Sequence, residues 1–227
     1  MPDVADELDA EYCPVSIGAS LIGERWSLLI VRELMTGASR FNDIQRGLPG
    51  LSRSTLTERL RYLERLGVIA ARRDPRGYAL TIEGEALRPV ILAIGEWTVK
   101  HHFPTPTERQ SDPSMIIWRV SQGLNRDALP EGRFTIEFRF PGSPKPRAWI
   151  VLRGREPTVC LEHPGYDIDL VVTATARVWN EVWYGHRALP AAVREGEIEL
   201  LGAPAATRAF SAWFTLSPFA SSVAYAR

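Results

Sequence analysis

Four leucines constrain this chain more than any other feature: Leu56, Leu60, Leu63 and Leu66 recur between Arg53 and Gly67 at close to 3.6 residues per turn, an apolar stripe along one helix. Ser52 stands where a hydroxyl can accept from an orphan N–H of the first turn, and Gly67 where a left-handed residue ends a helix. With the leucines turned inward, the opposite face presents Arg53, Ser54, Thr55, Thr57, Arg59 and Arg61. Val68 to Arg72 then reads as a strand, Asp74-Pro75-Arg76-Gly77 as a turn, and Tyr78 to Thr81 as the returning strand. Arg72, Arg73 and Arg76 crowd the tip of that hairpin.

The residues upstream fit the same plan. Ile17, Leu21, Ile22, Trp26, Leu29, Ile30 and Leu34 give a helical apolar face from Ser16 to Met35, interrupted near Gly23, and Phe41, Ile44 and Leu48 mark a short helix. Short helix, tight turn, basic helix and hairpin is the order of a winged helix-turn-helix. Between Arg40 and Arg76 nine arginines face four acids, an excess of five positive charges, whereas the whole chain is balanced at 27 basic and 27 acidic residues. A basic patch on a neutral chain points to a phosphate-docking surface. Arg40, Ser52, Arg53, Ser54, Thr55, Thr57, Arg59 and Arg61 are the expected contacts of a helix in the major groove of double-stranded DNA, and Arg72, Arg73 and Arg76 those of a hairpin along the backbone or in the minor groove. Arg53 and Arg59 are placed ahead of Arg61 or Arg65, because the start of a recognition helix lies deepest. The helix pattern alone also fits an ordinary solvated face.

The sequence also carries a family resemblance. Cys13-Pro14-Val15, the run Gly23 to Leu34, Gly37 with Arg40-Phe41-Asn42-Asp43-Ile44, Leu48 to Ser52, Leu56 to Glu64, Tyr78-Ala79-Leu80-Thr81 with Gly84, and Leu92 to Trp97 together resemble the HxlR family of bacterial transcriptional regulators. The resemblance covers roughly residues 12 to 102 and implies a dimeric winged-helix repressor or activator on an inverted repeat. Leu87, Val90, Ile91, Ile94 and Trp97 form an apolar stripe too wide for so small a domain to cover, the expected dimerisation face, unless the C-terminal half covers it. Some members of that family sense oxidants or electrophiles through a cysteine ahead of the first helix, and Cys13 holds that position. Asp3, Asp6, Glu7, Asp9 and Glu11 precede it, and negative charge raises a thiol pKa.

A winged helix accounts for fewer than half of the 227 residues. The expected division is a DNA-binding and dimerisation domain over 1–103, a polar, proline-bearing linker over 104–112, and a second domain over 113–227. In the second domain Phe134, Ile136, Phe138 and Phe140 alternate with Arg133, Thr135, Glu137 and Arg139, the pattern of a half-buried strand. Further strands are expected over 148–152, 158–161, 168–172 and 197–201, and helical spacing at Val178, Trp179, Val182 and Trp183 and again at Phe210, Trp213 and Phe214. The fold class is therefore α+β, an antiparallel or mixed sheet covered on one face by helices. Asp167 to Thr173, Val182-Trp183-Tyr184-Gly185, Leu189 to Val193, Glu195 to Gly202 and the closing Phe210 to Phe214 resemble the sterol carrier protein type two fold, which implies an apolar tunnel for a lipid-like ligand. Trp118, Phe134, Phe138, Trp149, Trp179, Trp183, Phe210, Trp213 and Phe214 are the expected ligand-lining residues; they also fit a solid core.

Enzyme readings find little support. No nucleophile elbow, phosphate loop or His-Glu-x-x-His motif occurs, and the adjacent His101 and His102 point to different sides of a helix, a poor chelate. No cofactor or metal is expected. Two cysteines, with neither a signal peptide nor a long apolar span, fit a cytoplasmic protein that does not insert in membranes. The expectation is a homodimeric, operator-binding regulator whose second domain takes an apolar effector; the alternative is a thiol-based regulator acting through Cys13.

Overall fold

A computed structural model describes residues 12–73, 76–107 and 110–225. The chain divides into two compact units, 1–94 and 95–227, with the division inside a helix.

In the first unit, α1 (Pro14–Ile22) starts on a proline whose fixed φ suits a first helical turn, and stops at Gly23. α2 (Arg25–Met35) is capped by Glu24, whose carboxylate accepts from the backbone N–H of Trp26 at 3.1 Å and of Ser27 at 3.3 Å. The expected interruption near Gly23 is thus a break between two separately capped helices. α3 (Phe41–Arg46) and α4 (Arg53–Arg65) follow, and Ser52 caps α4 by accepting from the Thr55 N–H at 3.1 Å. Leu56, Leu60 and Leu63 are buried, as are Ile30, Val31, Ile44 and Leu48, and each leucine contributes about 1.5–3 kcal/mol. Leu66 is half-buried at the C-cap, and Gly67 beyond it has φ +79°.

The hairpin β1 (Ile69–Arg73) and β2 (Arg76–Leu80) is antiparallel, pairing Ile69 with Leu80, Ala71 with Tyr78 and Arg73 with Arg76. Asp74 and Pro75 of the expected turn lie outside the described residues. The hairpin is fixed to the segment before α3: Tyr78 donates its N–H to the Ser39 carbonyl at 2.8 Å, and a Cβ on Gly77 would lie 2.6 Å from the same oxygen. Only glycine lets the two backbones come so close. Thr81 caps α5 (Ile82–Glu85), and α6 (Arg88–His102) then crosses the division between the units.

The second unit is a five-stranded mixed sheet in the order β5-β4-β3-β6-β7, from β3 (Arg133–Arg139), β4 (Arg147–Arg153), β5 (Glu156–Cys160), β6 (Leu170–Thr173) and β7 (Glu199–Gly202). Pairing is antiparallel except between β3 and β6, because the chain leaves edge strand β5 and crosses to the far side of β3. Phe134, Ile136, Phe138, Ile150, Leu152, Leu170 and Val172 face one way and share a core with α7 (Pro113–Gln122), α8 (Ala176–Trp183), α9 (Leu189–Arg194) and α10 (Pro204–Ala209). α11 (Ala220–Tyr225) closes the unit.

Two expectations need correction. Thr135 and Glu137, expected on the solvent side of β3, are buried. The 161–169 crossover lies along that face: His163 packs edge-on to Trp149 at 5.6 Å, Arg133 sits 4.5 Å over the Tyr166 ring, and Thr135 donates its N–H to Asp169 Oδ2 at 2.7 Å. The Glu137 charge is balanced by Arg139 Nη2 at 2.8 Å and Arg147 Nε at 3.5 Å. Second, Phe214 does not continue a helix: Phe210–Trp213 is a single 3₁₀ turn, and Phe214 is extended and bridges to Leu124.

Candidate nucleic-acid interface

α4 presents its polar face because its leucines are spent on the core. Ser52, Arg53, Ser54 and Arg61 are exposed, and Thr55, Thr57 and Arg59 half-buried. The N-terminal turn is ordered by its own hydroxyls: Ser52 Oγ lies 2.9 Å from Ser54 Oγ and 2.8 Å from Thr55 Oγ1, while Thr57 donates back to the Arg53 carbonyl at 2.9 Å.

Arg53 is held by α3. Its Nη1 donates to Asn42 Oδ1 at 3.2 Å and Gln45 Oε1 at 2.9 Å, and its guanidinium lies 4.8 Å from the Phe41 ring centroid. Nε and Nη2 can still form the two-pronged contact that guanine or a phosphate accepts. Arg59 stands differently: it pairs with Glu24 at 3.8 Å and Glu58 at 3.7 Å and leans over Tyr62. Arg61, placed behind it in the sequence reading, is the more exposed of the two. Sequence reasoning missed Asn42, Gln45 and Glu24 as positioning residues. Each lies on a different element from the arginine it holds, which spacing along a single helix does not reveal.

Arg40 is exposed at the N-cap of α3, and Arg72, Arg73 and Arg76 are exposed on the hairpin. Arg73 and Arg76 are direct cross-strand partners. Like charges so placed destabilise a hairpin by a few tenths of a kcal/mol unless an anion lies between them.

The other expected residues fall elsewhere. Along α6, Val90, Ile94 and Trp97 are exposed, Trp97 by 57 %, while Ile91, and Leu87 just before the helix, are half-buried. Cys13 is half-buried at the N-cap of α1, where the backbone N–H groups of Ser16 and then Val15 lower its thiol pKa, with burial opposing weakly. The acids expected to raise it lie outside the described residues. The aromatic side chains pack ring on ring: Trp179 lies 5.6 Å from Phe138, 6.2 Å from Phe210 and 5.9 Å from Phe214, and Trp213 lies 5.4 Å from Phe134. Trp118, Trp149 and Trp183 are buried, Trp149 on the opposite side of the sheet from Phe138. Among the described residues no group of three or more His, Cys, Asp or Glu could hold a metal ion, and no helix is long and apolar enough to cross a membrane.

Comparison with known proteins agrees with this geometry. Residues 21–105 match the HxlR-like helix-turn-helix family. The HTH-type transcriptional regulator YvaP of Bacillus subtilis is 36% identical over 102 residues, spanning 42% of this chain and 94% of that protein. The HTH-type transcriptional regulator MT3179 of Mycobacterium tuberculosis is 40% identical over 135 residues, 51% of this chain and 84% of that one. Among solved structures, quinone-bound YodB from B. subtilis is 36% identical over 38% of this chain and 96% of its own, with a TM-score of 0.35, too low to carry weight. The long match to YvaP and the capped, leucine-backed helix followed by its basic hairpin lead to one conclusion: the chain belongs to the HxlR-like helix-turn-helix family of transcriptional regulators.

Proposed function

We propose that this chain is a homodimeric, operator-binding regulator whose second unit takes an apolar effector. α4 enters the major groove with Arg53, Ser54, Thr57 and Arg61 toward base edges and phosphates; the hairpin sets Arg72, Arg73 and Arg76 along the backbone. The observation that carries the reading is the facing pair Arg73 and Arg76, like charges whose repulsion a phosphate relieves. A second copy of the chain covers Val90, Ile94 and Trp97, and places two heads for half-sites one helical turn, about 34 Å, apart.

The α+β architecture of the second unit and its interior rings support a sterol carrier-like ligand domain, with half-buried Phe134 and Phe214 at the edge of the cluster. Binding an acyl chain there requires those rings to part. Coupling of about 1–3 kcal/mol between ligand and operator is enough to change occupancy severalfold. The protein is read as cytoplasmic and without catalytic activity. The test is operator affinity with and without saturating acyl-CoA, fatty acid or sterol; unchanged affinity with every ligand sinks the effector part and leaves the DNA-binding part standing.

A second reading rests on Cys13, whose thiol is acidified by the start of α1. Thiol chemistry there would act on the first unit without any ligand in the second. Comparing oxidised parent with Cys13→Ser for operator release separates the two.

A further inference from the structure

A cavity of about 480 Å³ lies at the end of α6, lined by Val99, Lys100, His102, Phe103, His186 and Val223 among others. Its size falls within the usual range for small-molecule sites, about 300–1,000 Å³. Its chemistry is lopsided. Val99 and Val223, both buried, give it apolar surface, Lys100, His101, His102 and His186 bring an ammonium and imidazoles, and among the described residues no carboxylate lines it. The Phe103 ring stacks on His186, centroids 5.7 Å apart at 14°, with its edge toward Tyr184 at 5.2 Å, which makes a flat, rigid side.

Basic residues in a last helical turn have an ordinary explanation, since they offset the partial negative charge of the helix end. That explanation covers Lys100, His101 and His102 but not His186, which comes from the segment after α8 and faces the same space. A metal is also a poor fit, because no group of three suitable ligands occurs among the described residues.

We propose that this cavity binds a small apolar carboxylate. Lys100, His102 and His186 take the carboxylate, and the Phe103 ring with Val99 and Val223 takes the hydrocarbon. The site is separate from the aromatic cluster between sheet and helices, and it deepens the reading of the second unit as ligand-binding, on which it rests. It also has a built-in route to the dimer stripe. Trp97 lies 4.8 Å from His102 and 5.9 Å from His101 on the helix that carries Val90 and Ile94.

The experiment is calorimetric titration of the full chain, without DNA, with octanoate, octanol and octylamine, on the parent and on a variant carrying Lys100→Ala and His102→Ala. Both positions are exposed, so the fold is retained, checked by thermal melting. The expected result is saturable octanoate binding at least tenfold tighter than octanol or octylamine, and weakened at least tenfold in the variant. Tryptophan emission should change with octanoate in the parent and much less after Trp97→Phe. No saturable octanoate binding, equal affinity for octanol, or an unaltered Kd in the variant overturns the proposal. Octanoate binding that leaves operator affinity unchanged keeps the site and removes only its control of DNA binding.

Discussion

The carboxylate of Glu33 occupies the space that a side chain at Gly47 would need: a Cβ there would lie 1.9 Å from Glu33 Oε2. Glu33 is fully buried on α2, with Arg32 Nη2 2.5 Å from Oε1, and Arg32 also reaches the Gly47 carbonyl at 3.5 Å. A buried charge therefore sets the distance between α2 and the turn that aims α4.

Gly47→Ala is expected to destabilise the protein by about 1–3 kcal/mol through overpacking. Chemical denaturation of parent and variant measures this. Retained stability would mean that the Glu33 carboxylate moves freely, contrary to its burial.

Arg73→Ala should act with opposite signs on folding and on binding. Removing one of two facing like charges stabilises the hairpin by a few tenths of a kcal/mol. The same change weakens duplex binding and lowers its salt slope by about 1. Thermal melts and salt-dependent anisotropy, run on one preparation, check both; a variant that binds DNA as the parent does removes the hairpin from the interface.

The backbone N–H groups of Ser16 and then Val15 lower the pKa of the Cys13 thiol. The pH profile of alkylation at Cys13, followed by mass spectrometry, should have its midpoint below that of an unstructured cysteine peptide measured alongside. A midpoint at or above that of the peptide contradicts an influence of the start of α1 on the thiol.

Gly95 meets the Phe219 ring, where a Cβ would come within 2.2 Å of Cζ. Glycine inside a helix costs about 1 kcal/mol relative to alanine, so its presence here marks the contact. Gly95→Ala alone should lower stability, and Gly95→Ala with Phe219→Ala should fall well short of the summed losses, the signature of coupled neighbours. Additive losses would show that the ring does not press on α6.

The sequence was most legible where a face is buried on one side only. The Leu56, Leu60 and Leu63 stripe and the Phe134, Ile136 and Phe138 alternation both lie where their periods place them. α7 was not legible as a helix, because Ile116, Ile117, Trp118 and Val120 are buried nearly all round and leave no period to read. Glu33, Thr135 and Glu137 were misjudged or overlooked for a related reason: a polar residue reads as solvent-facing until the segment that covers it is known. The parallel pairing of β3 with β6 depends on the path of the 161–169 crossover, which no local pattern encodes. At the interface, charge located the arginines, but whether each is held ready, like Arg53, or tied back, like Arg59, follows from contacts between helices.

The most direct measurement of the central claim is binding of the purified protein to duplex from its own upstream region and to random duplex of equal length, each at two salt concentrations. The account predicts a clear preference for the upstream duplex, a steep loss of affinity with salt, and loss of that preference on Arg53→Ala. Equal affinity for both duplexes, or binding indifferent to salt, would contradict it.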